Sequence, residues 1–451
     1  MSAKRVALTA VAVAAAVLGY FGARRLLDRR AAGEVTMRHM LDLAARGDTT
    51  ALGDLVHAKC RQAGDARKQC YEDVFVALAA EGRVKEALGA LSVLAEKDRE
   101  VEREGHVYTH VIGITAWNPE RDVGQVFASC NGLFQSGCYH GVIQAYLTRD
   151  ADVDSAEVAG ICDLIEGRQR NLWLRFQCVH GLGHGLEMIW NWELPRALEG
   201  CDWLPSAWDR ESCYGGAFME NAVVAMPAHA TARLVSDKSA PAAAEGEDHS
   251  AHGSGHGSHG PDPSRITFKL IDSTDLLYPC TVVAARYWPS CYRLQGGTIA
   301  RLVNLDYKKA AKECDRVVPE LRTHCYLSLG TYAAGLTVLD ARKSIRLCTN
   351  GDPAYQPWCF VGATKNFVDV TSRPEDGLEL CRQVPKGRNR RQCFVAVGEE
   401  ISVLHSNNPQ ERARYCAMAP SEDVEDCNYG AGLLREAPKG LPISPGDTAK
   451  D

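Results

Sequence analysis

Cys314-Asp-Arg-Val-Val-Pro-Glu-Leu-Arg-Thr-His-Cys325-Tyr-Leu-Ser-Leu-Gly330 is followed by Cys348-Thr-Asn-Gly-Asp-Pro-Ala-Tyr-Gln-Pro-Trp-Cys359-Phe-Val-Gly-Ala-Thr364. The second cysteine of such pairs recurs at 291, 325, 359, 393 and 427, a period of 34 without drift. A period of that length marks a solenoid of two-helix units. Working outward, the same pattern reaches back to residue 60, so that all 18 cysteines fall into close pairs. In each unit one cysteine closes a short helix, a loop of about ten residues follows, and the next cysteine opens a longer helix.

Three residues before the first cysteine of several pairs stands an apolar residue (Phe127, Leu198, Ala311, Ile345, Leu378), as one helix face requires. Asn118-Pro119 and Asn408-Pro409 read as a cap followed by a first-turn proline. Glycines lie three or five residues into the longer helices, at Gly141, Gly181, Gly330 and Gly398. Glycine costs helix propensity there, and close helix–helix approach is the expected reason for it. Hydrophobic residues make up 45% of the chain, enough for a continuous elongated core, and no strand-like alternation appears. The expected fold class is all-α, an α-solenoid of about ten two-helix repeats.

Two cysteine pairings fit the spacing: neighbours about 11 apart, or partners about 23 apart across one hairpin. The longer pairing strands Cys60 and Cys427 and must bridge Cys70 to Cys130, whereas the shorter uses every cysteine. Nine local disulfides are therefore expected: Cys60–Cys70, Cys130–Cys138, Cys162–Cys178, Cys201–Cys213, Cys280–Cys291, Cys314–Cys325, Cys348–Cys359, Cys381–Cys393 and Cys416–Cys427. Loops this short stabilise by about 3 kcal/mol each in the chain-entropy model, and such bonds persist in an oxidising compartment. Thiolate ligation of zinc is the weaker reading, because the spacing is not a zinc spacing.

The segment Tyr332-Ala-Ala-Gly-Leu-Thr-Val-Leu-Asp340-Ala-Arg-Lys343 resembles the hairpin turn of tetratricopeptide-like helical repeats, in particular the cysteine-rich Sel-type variety with one disulfide per repeat. The resemblance covers residues 57 to 436 at the level of period and pattern. The family mostly supplies binding scaffolds, so it implies little about chemistry.

An apolar run from Val6 to Ala23 is preceded by Lys4-Arg5 and followed by Arg24-Arg25 and Arg29-Arg30. It is just long enough to span a bilayer, and no small-x-small cleavage site ends it, so an uncleaved signal anchor is expected. The flanking arginines favour a cytoplasmic body. Nine disulfides favour the opposite side and outweigh them, which puts the body in the periplasm or extracellular space. The expected organisation is an anchor (1–30), a juxtamembrane segment (31–56), an N-terminal solenoid half (57–226), a flexible insertion (227–268), regular repeats (269–436) and a disordered tail (437–451). Net charge is −6 with no sustained basic face, which argues against nucleic acid as partner. The expected partners are the membrane, through the anchor, and a protein on the concave face.

Two histidine groups point to a transition metal (zinc, copper or nickel) as cofactor. The insertion carries His249, His252, His256 and His259 in a Gly/Ser-rich tract that can wrap an ion without preset geometry. The second group emerges when the long helices are aligned by their cysteines. Cys138-Tyr-His140-Gly-Val-Ile-Gln144 and Cys178-Val-His180-Gly-Leu-Gly-His184 place His140 and His180 at one position, and Tyr108-Thr-His110 fits the same register one repeat earlier. His180 and His184 lie four apart on one helix face, and His106 and His110 form a second such pair.

Histidines on adjacent helices, about 8–10 Å apart, can meet at one ion; histidines two repeats apart are not expected to meet unless the superhelix curves tightly. The expected site is His140, His180 and His184, with Glu220 as fourth ligand or as base for a bound water. His106 and His110 are left for a second site or an outer shell.

Three functions follow as expectations. The first is an anchored metal-binding solenoid. The second is a metal-independent interaction scaffold of the cell envelope. The third is a metalloenzyme, hydrolase or oxidoreductase, with Glu220 as general base. No phosphate loop, nucleophile elbow or serine triad is legible, and paired cysteines argue against thiol catalysis.

Overall fold

The computed structural model describes residues 36–149, 153–167, 171–225 and 266–441. Its helices are α1 (36–45), α2 (Thr49–Cys60), α3 (Arg67–Ala80), α4 (Val84–Ala95), α5 (Arg99–Ala116), α6 (Val123–Phe127), α7 (Gly137–Leu147), α8 (Ser155–Gly160), α9 (Leu172–Ile189), α10 (Leu194–Cys201) and α11 (Ala207–Ala225). Beyond the insertion follow α12 (Trp288–Leu302), α13 (Tyr307–Cys314), α14 (Arg322–Leu336), α15 (Ala341–Cys348), α16 (Gln356–Thr371), α17 (Pro374–Gln383), α18 (Arg388–Leu404), α19 (Pro409–Cys416) and α20 (Val424–Gly430). No strand occurs among the described residues.

Local chemistry sets the alternation of short and long helices. Six of the shorter helices start on side-chain caps: Asp48, Asp122, Asp154, Asp306, Asp340 and Asn408 each accept from a first-turn amide. Three long helices, α9, α12 and α14, end in turns whose two residues take left-handed backbone, at Asn191-Trp192, Asn304-Leu305 and Val338-Leu339. There the second amide reaches back to a helix carbonyl, for example Leu339 N to Ala334 O at 3.0 Å. The next short helix then begins at once.

All nine local disulfides are formed, with Cα–Cα separations of 5.3 to 5.8 Å, and no cysteine is free. Each ties the end of a short element to the start of the next long helix. The long helices stack in chain order, α5 on α7, α7 on α9, α9 on α11, and so on to α20. The glycines explain how closely. A β-carbon at Gly141 would stand 2.3 Å from the His110 carbonyl, and one at Gly183 would stand 2.1 Å from that of Cys213. The same two contacts recur down the stack at Gly362, Gly430, Gly330 and Gly398.

The stack curves until it meets itself. Phe134 N donates to Val370 O at 2.9 Å, Gln135 N donates to Asp369 O at 3.0 Å, and the Gln135 side chain bonds Asn366. The start of α7 thus rests on the end of α16, and α9 packs against α18. Along the long helices each of these pairs is five steps apart (α7, α9, α11, α12, α14, α16), so the superhelix turns once in about five repeats.

Residues 36–56, expected as a juxtamembrane segment, are largely helical and packed, with Met40, Leu52 and Val56 fully buried and α2 against α4. At the other end Arg391 donates to Lys439 O at 2.7 Å. No described helix is long and apolar enough to cross a membrane. The Val6–Ala23 run and the histidines of the insertion lie outside the described residues.

Gly330→Ala and Gly362→Ala would each force a β-carbon to within 1.9 Å of a carbonyl across the α14–α16 seam. Each is expected to destabilise by about 1–3 kcal/mol. Gly335→Ala, whose nearest neighbour would be 4.0 Å away, is the control and should leave the thermal midpoint unchanged or raised. Thermal unfolding followed by circular dichroism checks all three.

Candidate metal centre

The site begins with the seams just described. Because α5, α7, α9 and α11 approach at glycines, the side chains two residues after each cysteine position are held side by side. Gly141 lies over the His110 carbonyl, Gly181 over the His140 Cα, and Gly216 over the His180 carbonyl. His110, His140 and His180 therefore occupy one structural position on three successive helices. At Gly215 a β-carbon would stand 3.4 Å from His180 Nδ1, so the missing side chain leaves room for that ring.

His106, His110, His140, His180 and His184 form one continuous cluster of imidazoles. Ring centroids lie 4.7 Å apart for His106–His110, 5.5 Å for His110–His140, 4.8 Å for His140–His180 and 5.1 Å for His180–His184. His110 and His184 stand 5.2 Å apart although they are two repeats distant. Histidines two repeats apart were expected to meet only if the superhelix curves tightly, and here it does. The tight superhelical curvature draws the inner faces of α5 and α9 together across α7. Two histidine groups of a kind able to hold a metal result, His106/His110/His140 and His140/His180/His184, with donor atoms within 4.8 Å of one another in each.

Hydrogen bonds fix which nitrogen each ring presents. His106 Nδ1 donates to Phe134 O at 2.8 Å, and His180 Nδ1 donates to Ser212 O at 3.2 Å, since a carbonyl can only accept. His110 Nδ1 donates to Gln144 Oε1 at 3.3 Å, and His140 Nε2 to Gln177 Oε1 at 2.9 Å. His184 Nδ1 donates to the Glu220 carboxylate at 2.8 Å. In a neutral imidazole the opposite nitrogen then carries the lone pair. Those opposite nitrogens, His110 Nε2, His140 Nδ1 and His184 Nε2, are buried with no hydrogen-bond partner among the described residues. Buried polar atoms are otherwise nearly always paired.

Burial, and secondarily the neighbouring imidazoles, holds the His110, His140 and His180 pKa values well below the usual histidine range. The rings are thus neutral and their lone pairs open. Such imidazoles could hold a metal ion, with carboxamide, carbonyl and carboxylate partners on the far nitrogens orienting the donors.

Glu220 belongs to this outer set. One oxygen accepts from His184 Nδ1 and the other from Trp192 Nε1 at 3.4 Å. It stands behind His184, on the Nδ1 side of that ring, opposite the unpartnered Nε2. Gln144, Gln177, Ser212 and Phe134 complete the set and were not assigned from sequence. Gln144 was within reach, because it holds in α7 the register that His184 holds in α9. Phe134 was not, since its loop is held by α16. Nor was Glu187, fully buried, whose two oxygens have no partner among the described residues; desolvation, reinforced by Glu220, raises its pKa well above the carboxylate range.

Comparison with known proteins found no matching family model, no matching curated protein and no matching solved structure.

Neutral buried imidazoles make metal-free stability depend on pH. The folded pKa values of His110, His140 and His180 lie below the unfolded value of 6.5, so the unfolded chain binds more protons as pH falls through 6.5. Stability is therefore full above that pH and lost below it, with up to about 1.4 kcal/mol per pH unit for each such histidine. Thermal midpoints of metal-free protein between pH 7.5 and 5 (about neutral to mildly acidic) should fall, and His140→Gln should flatten the slope.

Proposed function

We propose that this chain is a membrane-anchored, extracytoplasmic helical-repeat protein that holds a transition-metal ion on histidines of successive helices. The observation that carries this reading is the set of three buried imidazole nitrogens that lack hydrogen-bond partners within one five-histidine cluster. Leaving such atoms dry and unpaired is costly, and a cation accepting their lone pairs removes the cost. All-nitrogen donors favour zinc, copper or nickel over calcium or magnesium. The disulfides support an oxidising compartment, and the Val6–Ala23 run supports attachment to a membrane. Glu220, with both oxygens engaged, favours a carrier or structural metal over hydrolysis with that residue as base.

The test is elemental analysis and metal titration of the full chain with His249, His252, His256 and His259 replaced by serine. Tight retention of metal is expected. His180→Ala should lower metal content without unfolding the protein. Glu220→Gln should weaken binding about 10–100-fold, as loss of an orienting partner does. No retained metal would leave an interaction scaffold, with a protein partner on the concave face, as the function.

A further inference from the structure

We propose that the five histidines make two overlapping positions for a single ion, and that the ion passes between them by ligand exchange. The outer position is His106, His110 and His140; the inner is His140, His180 and His184. This rests on the reading that the cluster takes a transition metal.

His140 is the pivot. Both triads need it, yet its Nε2 hydrogen is given to Gln177, and only Nδ1 offers a lone pair. One lone pair binds one ion, so the two triads exclude each other. Burial sets the direction: His106 and His110 are half-buried, while His140, His180 and His184 are no more than 5% exposed. His110 bridges the two, with its ring 5.5 Å from His140 and 5.2 Å from His184. An ion on the outer triad can exchange His106 for His184 and then His110 for His180, keeping His140 throughout.

The exchange is balanced without protons or electrons. Each imidazole keeps its N–H as it binds and leaves, hydrogen-bonded to Phe134 O, Gln144, Gln177, Ser212 O or Glu220. Tetrahedral ligation needs nitrogens about 3.3 Å apart. The donor atoms, within 4.8 Å of one another, reach that spacing by small ring movements.

The experiment is stopped-flow uptake of cobalt(II) alone by the full chain with the four loop histidines replaced by serine, followed by ligand-field absorbance. One cobalt per chain is expected, taken up in two phases, the second independent of cobalt concentration. His106→Gln with His110→Gln should slow uptake about tenfold while changing equilibrium affinity by less than about threefold. His180→Gln with His184→Gln should still bind, in one phase and with an altered spectrum. Two cobalt ions per chain at saturation would overturn the proposal, as would single-phase uptake by the parent protein or unchanged uptake by the outer-triad variant. In those cases the metal reading stands. Absence of cobalt binding to the parent protein would overturn both. Because the parent kinetics need no histidine-cluster variant, misfolding of one does not spoil the test.

Discussion

At four crossings, α5 with α7, α9 with α11, α14 with α16 and α18 with α20, the long helices approach one another at glycines, with no side chain between them. Glycine at one or both of two fixed positions after the cysteine lets a carbonyl of the neighbouring helix fill the space a β-carbon would take, at Gly141, Gly183, Gly330 and Gly362 alike. Close-packed interiors do not tolerate an added methyl there. The disulfides act on the same joint. Each fixes the start of a long helix to the end of the short element before it, and thereby fixes where along the helix the crossing falls.

The candidate site is a consequence of that joint. The residue two after the cysteine sits beside the glycine contact, so whatever occupies it is pressed against its counterpart in the next repeat. In α5, α7 and α9 that residue is histidine; in the regular repeats it is Arg293, Leu327, Val361, Val395 or Tyr429. Curvature then does what adjacency alone cannot. With about five repeats to the turn, α5 and α9 converge over α7, and the loop 134–136 is held from behind by the end of α16. That loop supplies the carbonyl that orients His106. The C-terminal repeats, which read as plain scaffold, thus help to build the histidine cluster.

The cluster's chemistry depends on neutrality. Charged imidazoles packed at centroid distances near 5 Å would repel one another in a medium that screens poorly. Burial holds the pKa values of His110, His140 and His180 well below the usual histidine range, and partners on the outer nitrogens orient the rings. Gln144 and Gln177 are suited to this because a carboxamide oxygen accepts without adding charge.

The sequence by itself determined the period, the pairing of all eighteen cysteines, the all-helical class and the equivalence of His110, His140 and His180, because these follow from spacing along one helix or between neighbours in the chain. It also brought His180 and His184 together, four apart on one face. What only the tertiary structure decided depends on the superhelical radius. The meeting of His110 with His184 and the clamp of residues 134 and 135 on α16 arise from the turn of the superhelix across several repeats, and the bond of Glu220 to His184 from the packing of α11 on α9. No single repeat encodes that closure, since it rests on contacts between repeats far apart in the chain, such as Phe134 with Val370.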